Sequence, residues 1–131
     1  MKKLCMFIAL FLLLCAKASA EWQSVPVDSI ERAFFVENST IKKSQNLLKL
    51  WILTNYSSPQ QVGNDPAYLS EKYFYEIDCR ENKLRMVQGA LYKNINGGGS
   101  IIHTENRAGE WSFVVPGSTY EVVISYICKN M

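Results

Sequence analysis

The chain has 131 residues, of which 14 are Lys or Arg and 12 are Asp or Glu, so its formal net charge is only +2. Three basic residues, Lys2, Lys3 and Lys17, fall in an N-terminal segment that we expect to be removed, which leaves 11 basic against 12 acidic residues and a net charge of −1. This balance excludes a nucleic-acid-binding protein, because binding to phosphates depends on clustered Lys and Arg. The remaining length is that of one domain.

Residues 1–20 have the organisation of a signal peptide. Two lysines follow Met1, Leu4–Cys15 is mostly apolar, and Ala18-Ser-Ala20 places small side chains where signal peptidase requires them. We therefore expect cleavage near Ala20 and an exported mature domain of residues 21–131, either periplasmic or secreted to the cell surface. The apolar run is shorter than the roughly 20 residues that span a bilayer, so no stable membrane span is expected.

Two of the four cysteines lie in this signal segment. Cys15 follows three leucines that loosely resemble a lipid-attachment box, but Leu14 occupies the position of a small residue, so a lipoprotein is not expected. Cys79 and Cys128 are then the thiols of the mature domain, and an oxidising compartment predicts that they form a disulfide. Closing a loop of roughly 50 residues stabilises a domain by about 4 kcal/mol. A metal site or redox pair has no support, because there is one His and no CxxC spacing, and we expect no cofactor.

The N-terminal half of the mature domain is predicted to form strands. Pro26 interrupts the first strand and suits a sheet edge, because proline cannot donate to a ladder. Asn38-Ser-Thr40 is a polar turn, which predicts a hairpin between the strands on either side of it. The next strand is apolar on both faces and is placed in the centre of the sheet. These predicted strands are Trp22–Ser29, Ala33–Glu37, Ile41–Lys43 and Leu47–Tyr56.

The next part of the chain alternates loops and strands. Ser57–Ser70 is rich in turn-forming residues and is predicted to be a long surface loop. In the strand Lys72–Arg80, Tyr73, Tyr75, Ile77 and Cys79 share one face, so Cys79 points to the core. The glycine-rich segment Asn94–Ser100 is predicted to be a hairpin tip. Further strands are predicted at Leu84–Tyr92, Ile101–Thr104 and Trp111–Val115.

The C-terminal segment carries mixed signals. Ser118 and Glu121 have the spacing of a helix capping box, and the last apolar residues recur at helical spacing. The β-branched residues of Val122-Val-Ile124 favour a strand, but the cap and the spacing favour a helix. The sequence therefore predicts an α+β fold, an antiparallel sheet of about six strands covered by a C-terminal helix and tied to it by one disulfide. The residues on the apolar stripe are Tyr120, Val123, Ile124, Ile127 and Cys128.

The order of several short motifs resembles the surface-adhesin protein E family. The motifs span most of the mature chain: Trp22, Phe34–Ile41, Lys49–Ile52, Glu76–Arg80, Trp111, Pro116-Gly-Ser118 and Ile127-Cys128. The resemblance implies a small secreted domain with the same sheet, helix and disulfide. It also implies a surface adhesin that binds host matrix and serum glycoproteins, and it allows for a homodimer. The basic residues nearest to the region that corresponds to the family's ligand-binding segment are Lys72, Arg80, Lys83 and Arg85, which we take as candidate protein-binding residues.

Three classes of function remain. The first is a non-catalytic, exported protein-binding module, whose partner is a host extracellular-matrix protein or an envelope protein, with contacts from the aromatics of Tyr73–Tyr75 or from the 57–70 loop. The second is a periplasmic structural accessory protein of an envelope complex. The third is a small hydrolytic enzyme, but His103 with Glu105, or Glu76 with Asp78, lacks a nucleophile or a recognisable triad. No catalytic residue is therefore assigned.

Overall fold

The computed structural model describes residues 20–131, so the expected signal peptide of residues 1–20 lies outside the described residues except for Ala20. The described part of the chain forms one eight-stranded sheet, whose pairings are all antiparallel, and a C-terminal helix. The elements are β1 (Trp22–Val25), β2 (Arg32–Glu37), β3 (Lys42–Ser44), β4 (Leu47–Gln60), β5 (Tyr68–Asp78), β6 (Lys83–Tyr92), β7 (Ile101–Glu105), β8 (Ser112–Phe113) and α1 (Thr119–Asn130). The predicted α+β fold is confirmed.

The strands are arranged in the order β1-β2-β4-β5-β6-β7. The edge position of β1 is confirmed, and this strand ends at Val25 because Pro26 follows it. The central position of β4 is also confirmed. Two short strands lie outside the main order, because β3 pairs with β4 and β8 pairs with β6.

The predicted hairpin between Ala33–Glu37 and Ile41–Lys43 is wrong. β2 pairs with the middle of β4, residues 52–56, and β3 pairs with the first residues of β4. β4 has 14 residues, so one of its edges is long enough for both short strands in succession. The hairpin is instead formed by β3 and β4, around a tight turn at Gln45-Asn46 in which Gln45 has a φ of 54°.

The loop predicted at Ser57–Ser70 is shorter in the structure, because strands occupy both of its ends. The strand predicted at Trp111–Val115 is shorter too. β4 continues to Gln60 and β5 begins at Tyr68, so residues 61–67 form the connection. Gln60 pairs with Tyr68 after a register shift, and the rings of Tyr56 and Tyr68 meet edge to face at 5.7 Å. This aromatic pair adds cross-strand stabilisation that the turn-forming composition does not reveal. In the segment 111–115, only Ser112 and Phe113 form a strand, β8, which pairs with β6.

The helix α1 packs over one face of the sheet, as predicted. Its N-cap is Ser118, whose hydroxyl oxygen accepts a hydrogen bond from the Glu121 N–H at 3.2 Å. The disulfide between Cys79 and Cys128 is confirmed, with their Cα atoms 5.7 Å apart. The side chains buried between sheet and helix are Phe34, Val36, Leu48, Leu50, Ile52, Ile77, Val123, Ile124 and Ile127.

The hairpin tip between β6 and β7 folds across the other face of the sheet. Asn55 and Asn96 are joined by two hydrogen bonds, of 2.7 and 2.8 Å. The fully buried hydroxyl of Ser70 donates to the Asn94 carbonyl at 2.5 Å and accepts from the Gly97 N–H at 2.9 Å. These polar contacts fix the tip against β4 and β5. Within residues 20–131, no helix has the length and apolar character needed to cross a membrane.

Candidate protein-binding surface

The sheet has one face that α1 does not cover, which we call the open face. Along β4, Leu48, Leu50 and Ile52 point into the core, so the intervening Lys49 and Trp51 point to the open face. The register carries the same alternation into the neighbouring strands. All three tryptophans of the chain lie on this face and are partly exposed. The open-face side chains used below are Trp22, Lys49, Trp51, Lys72, Phe74, Glu76, Lys83, Arg85, Tyr92 and Trp111.

One group of open-face side chains surrounds Trp111. The Arg85 guanidinium lies 5.0 Å from the centre of the Trp111 ring, and the Lys83 ammonium lies 5.4 Å from it. Arg85 also donates to Glu76 Oε2 at 2.9 Å, and Lys49 lies 3.9 Å from the other oxygen of that carboxylate. Each cation–π contact contributes about 0.5–1 kcal/mol at an exposed site, so these contacts orient Trp111 before any partner binds.

A second group surrounds Lys72. Its ammonium lies between two aromatic rings, 5.4 Å from the centre of Trp22 and 5.6 Å from the centre of Tyr92. The Lys72 stem passes so close to Gly97 that a Cβ there would lie 2.4 Å from Lys72 Cε. None of the ion pairs among the described residues involves Lys72. A cavity of about 190 Å³ adjoins this lysine and is also lined by Trp51, Gln88, Tyr92 and Asn106.

Three of the four candidate basic residues, Lys72, Lys83 and Arg85, therefore lie on the open face next to aromatic rings. Arg80 does not join them, because it lies exposed in the turn between β5 and β6. In that turn, Asp78 Oδ1 accepts hydrogen bonds from the Arg80 and Glu81 N–H groups at 3.0 and 2.9 Å. Arg80 lines a separate cavity at this end of the sheet, opposite the β3–β4 turn.

The model of the family described as surface-adhesin protein E matches residues 22–129, which is nearly all of the described chain. The chain belongs to the surface-adhesin protein E family. This membership agrees with the family resemblance inferred from the short motifs. The comparison with curated protein sequences found no match.

Solved structures of family proteins share the fold. Haemophilus influenzae protein E matches with a TM-score of 0.62 at 14% identity, over 89% of this chain and 92% of that chain. A second crystal form of the same protein gives a TM-score of 0.64 at 14% identity, over 89% and 95%. Protein E from non-typeable Haemophilus influenzae gives 0.60 at 14% identity, over 89% and 82%. At this identity the likeness establishes the fold alone.

A tyrosine-rich cluster lies on the helix side of this adhesin-family sheet. Tyr73 and Tyr75 belong to it, so of the aromatics in Tyr73–Tyr75 only Phe74 reaches the open face, where its ring centre is 5.4 Å from that of Trp51. Burial raises the pKa of Tyr73 to about 12. Burial also raises the pKa of Glu71, although hydrogen bonds from Tyr56 and Thr54 and the charge of Arg32 act to lower it. These side chains lie on the helix side of the sheet, away from the open face.

The candidate catalytic pairs are held in structural contacts. His103 Nδ1 lies 4.0 Å from Asp65 Oδ2, and both side chains are about half exposed. Glu105 accepts a hydrogen bond from the Arg107 N–H at 2.9 Å, Glu76 is paired with Arg85, and Asp78 caps the β5–β6 turn. Within residues 20–131, no cluster of His, Cys, Asp and Glu is arranged to hold a metal ion. The family is one of adhesins rather than enzymes.

The sequence-based selection of site residues missed the tryptophans. One signal for Trp51 is present in the sequence. Lys49 and Trp51 alternate with Leu48, Leu50 and Ile52, and this period of two indicates that Trp51 lies on the opposite face from the core. No local pattern places Trp22 or Trp111 beside the cations of other strands, because those contacts depend on strand order and on the path of the chain around β8.

Proposed function

We propose that this adhesin-family domain is a non-catalytic, exported protein-binding module that uses its open face to bind host matrix or serum glycoproteins. The observation that supports the proposal most directly is the concentration of all three tryptophans with Lys72, Lys83 and Arg85 on the face that α1 leaves uncovered. Tryptophan, tyrosine and arginine supply most of the binding energy in protein interfaces. Their grouping here matches the composition of an interface centre.

The geometry also lowers the cost of binding. A flexible side chain loses roughly 0.5–1.5 kcal/mol when an interface immobilises it. Trp111 is already held by two cations, and Arg85 is already held by Glu76, so less conformational entropy remains to be lost. The Lys72 ammonium forms no ion pair with a carboxylate among the described residues. Its charge therefore attracts acidic groups on a binding partner.

The binding test uses purified residues 21–131 over immobilised vitronectin and laminin. We expect Trp111→Ala and Trp51→Ala each to weaken binding by about tenfold or more, as for a residue at an interface centre. Ile30→Ala is the matched control, because Ile30 is a large apolar side chain that is 93% exposed in the β1–β2 connection, outside the strands of the sheet. It should change affinity less than about twofold. Equal affinities for all four proteins would contradict the use of the open face.

Export and location require a separate measurement. We propose that residues 1–20 are a cleaved signal peptide and that residues 21–131 reach the cell surface. Protease treatment of intact cells should then digest the protein. Protection from the protease, together with release by osmotic shock, would instead support the periplasmic accessory protein of an envelope complex.

We also propose that the domain forms a homodimer through an apolar groove beside β8. Phe113 and Val115 are 74% and 66% exposed, and they flank a cavity of about 410 Å³ whose walls include Leu84, Met86 and Tyr120. Burying such exposed apolar area favours association. Light scattering should give a dimer mass for the wild type and a monomer mass for Phe113→Glu. A monomer mass for the wild type at high concentration would contradict the dimer.

A further inference from the structure

The Glu37 carboxylate, at the end of β2, accepts four hydrogen bonds. Its Oε1 atom accepts hydrogen bonds from the Glu21 N–H at 2.9 Å, from the Ser39 N–H at 3.1 Å and from the Ser39 hydroxyl at 2.5 Å. Its Oε2 atom accepts from the Thr40 hydroxyl. Glu37 is only 4% exposed. The carboxylate therefore joins the chain before β1 to the turn after β2.

Among residues 20–131, Glu21 is the first that is hydrogen-bonded to the sheet. Its carbonyl accepts a hydrogen bond from the Asn38 N–H at 2.8 Å, and β1 begins at the next residue. Ala20, the residue before it, is exposed. The predicted cleavage site between Ala20 and Glu21 therefore lies one residue before β1, so cleavage there leaves every described strand intact.

We propose that removal of residues 1–20 creates an α-ammonium group on Glu21 that forms an ion pair with the Glu37 carboxylate, so that Glu37 is the receptor for the mature N-terminus. Water hydrolyses the Ala20–Glu21 peptide bond, which leaves a carboxylate on Ala20 and an amine on Glu21 that takes up a proton. The nitrogen that now donates at 2.9 Å as a neutral amide then donates as a cation. A hydrogen bond between two charged groups is roughly twice as strong as a neutral one.

The surroundings of Glu37 keep it ionised. Burial acts to raise the pKa of Glu37, but the hydrogen bonds from Ser39, Thr40 and the Glu21 N–H outweigh it and lower the pKa to about 2. The charged residues on the adjoining elements are the Glu21 side chain, Arg32 on β2, Lys42 and Lys43 on β3, and Lys49 on β4. None of them forms an ion pair with Glu37. The carboxylate charge is therefore available to the new ammonium group.

The pH dependence follows from the sign of the shift. An α-amino group has a pKa of about 7.7–8.0 in an unfolded chain, and a neighbouring carboxylate raises that pKa in the folded state. The ammonium then contributes its full stabilisation below about pH 7.7, and the contribution is lost as the pH rises through the folded-state pKa. At the acid side, the Glu37 contribution is present above its unfolded value of 4.5 and is lost as the pH falls towards 2.

The test compares four proteins: residues 21–131 with a free or an acetylated N-terminus, each with Glu37 or with Glu37→Gln. At pH 6, we expect acetylation to lower the folded-to-unfolded equilibrium constant about fivefold in the Glu37 protein, in urea unfolding experiments. The difference should vanish near pH 10 and should be absent in the Glu37→Gln pair. An acetylation effect of the same size in both pairs, or none in either at pH 6, would overturn the proposal.

Two measurements keep the test independent of the variant's folding. Titration of the Glu21 α-amino group by NMR in the wild-type domain should give a pKa above about 8.0, and a value at or below that would overturn the ion pair. The full chain expressed with its own leader in a bacterial host should yield a secreted product whose mass corresponds to a start at Glu21. A start at another residue, or a lipid-modified product at Cys15, would overturn the assignment of this nitrogen as the mature N-terminus.

Discussion

Removal of the disulfide by the double substitution Cys79→Ala and Cys128→Ala is expected to lower the free energy of unfolding of residues 21–131 by about 4 kcal/mol. The crosslinked residues are 49 positions apart, so the disulfide restricts a large part of the unfolded chain. The folded state should change little, because Val123, Ile124 and Ile127 of α1 are each at most 1% exposed and pack on the sheet without the crosslink. A domain of this size has a total stability of roughly 5–15 kcal/mol, so the variant should be folded but marginal.

Urea unfolding followed by circular dichroism gives both the midpoint and the slope. The midpoint should fall, and the melting temperature should fall by roughly 15–20 °C for a loss of this size. The wild-type domain treated with reductant is the control and should match the double variant. A loss below about 1 kcal/mol would refute the unfolded-chain explanation, since it would mean that the denatured state is already restricted or that the native crosslink is unfavourable. A thiol-alkylating reagent should label no cysteine of denatured, unreduced wild-type residues 21–131.

Three further substitutions test the packing, the helix cap and the buried carboxylate. Ile124→Ala should cost about 2–5 kcal/mol in urea unfolding because Ile124 is 1% exposed, whereas the exposed neighbour Val122→Ala should cost at most about 0.5 kcal/mol. Ser118→Ala should cost about 1 kcal/mol and should reduce amide-exchange protection in the first turn of α1. Glu71→Gln should increase stability at pH 7, and its gain should shrink at pH 3.5. Burial raises the pKa of Glu71 above 4.5, so the wild type loses stability as the pH rises through the folded-state pKa, whereas the Gln variant does not. A gain in stability that is the same at both pH values would contradict this reasoning.

The helix and the disulfide could be predicted because their signals are local or chemical. Ser118 precedes a stripe of apolar residues at helical spacing, and these signals outweighed the strand propensity of Val122-Val-Ile124. The capping box is only half formed. The Ser118 hydroxyl oxygen accepts from the Glu121 N–H, but the Ser118 N–H donates to the Val115 carbonyl at 3.2 Å and not to the Glu121 carboxylate. The disulfide followed from the count of cysteines left in the mature domain.

The pairing of short strands could not be predicted, because a strand's own residues do not specify its neighbour. Lys42-Lys-Ser44 has the same local pattern whether it pairs with β2 or with β4, and the length of β4 decides the outcome. The same limit applies to the site. The sequence indicates Lys72, Lys83 and Arg85 only through their charge and their nearness to the segment that corresponds to the family's ligand-binding region. Their common property, an aromatic ring beside each cation, appears only when β1, β5, β6 and the segment before β8 come together.

The buried hydroxyl of Ser70 links the hairpin tip to the position of Lys72 on the open face. It is the one side chain that holds both the Asn94 carbonyl and the Gly97 N–H, and Gly97 in turn limits where the Lys72 stem can lie. A residue without a hydroxyl at position 70 would lose both hydrogen bonds, would leave the Asn55–Asn96 hydrogen bonds to hold the tip, and would loosen the restraint on the Lys72 stem. Under the proposed function, the selectivity of the open face would therefore depend on a side chain that is itself fully buried.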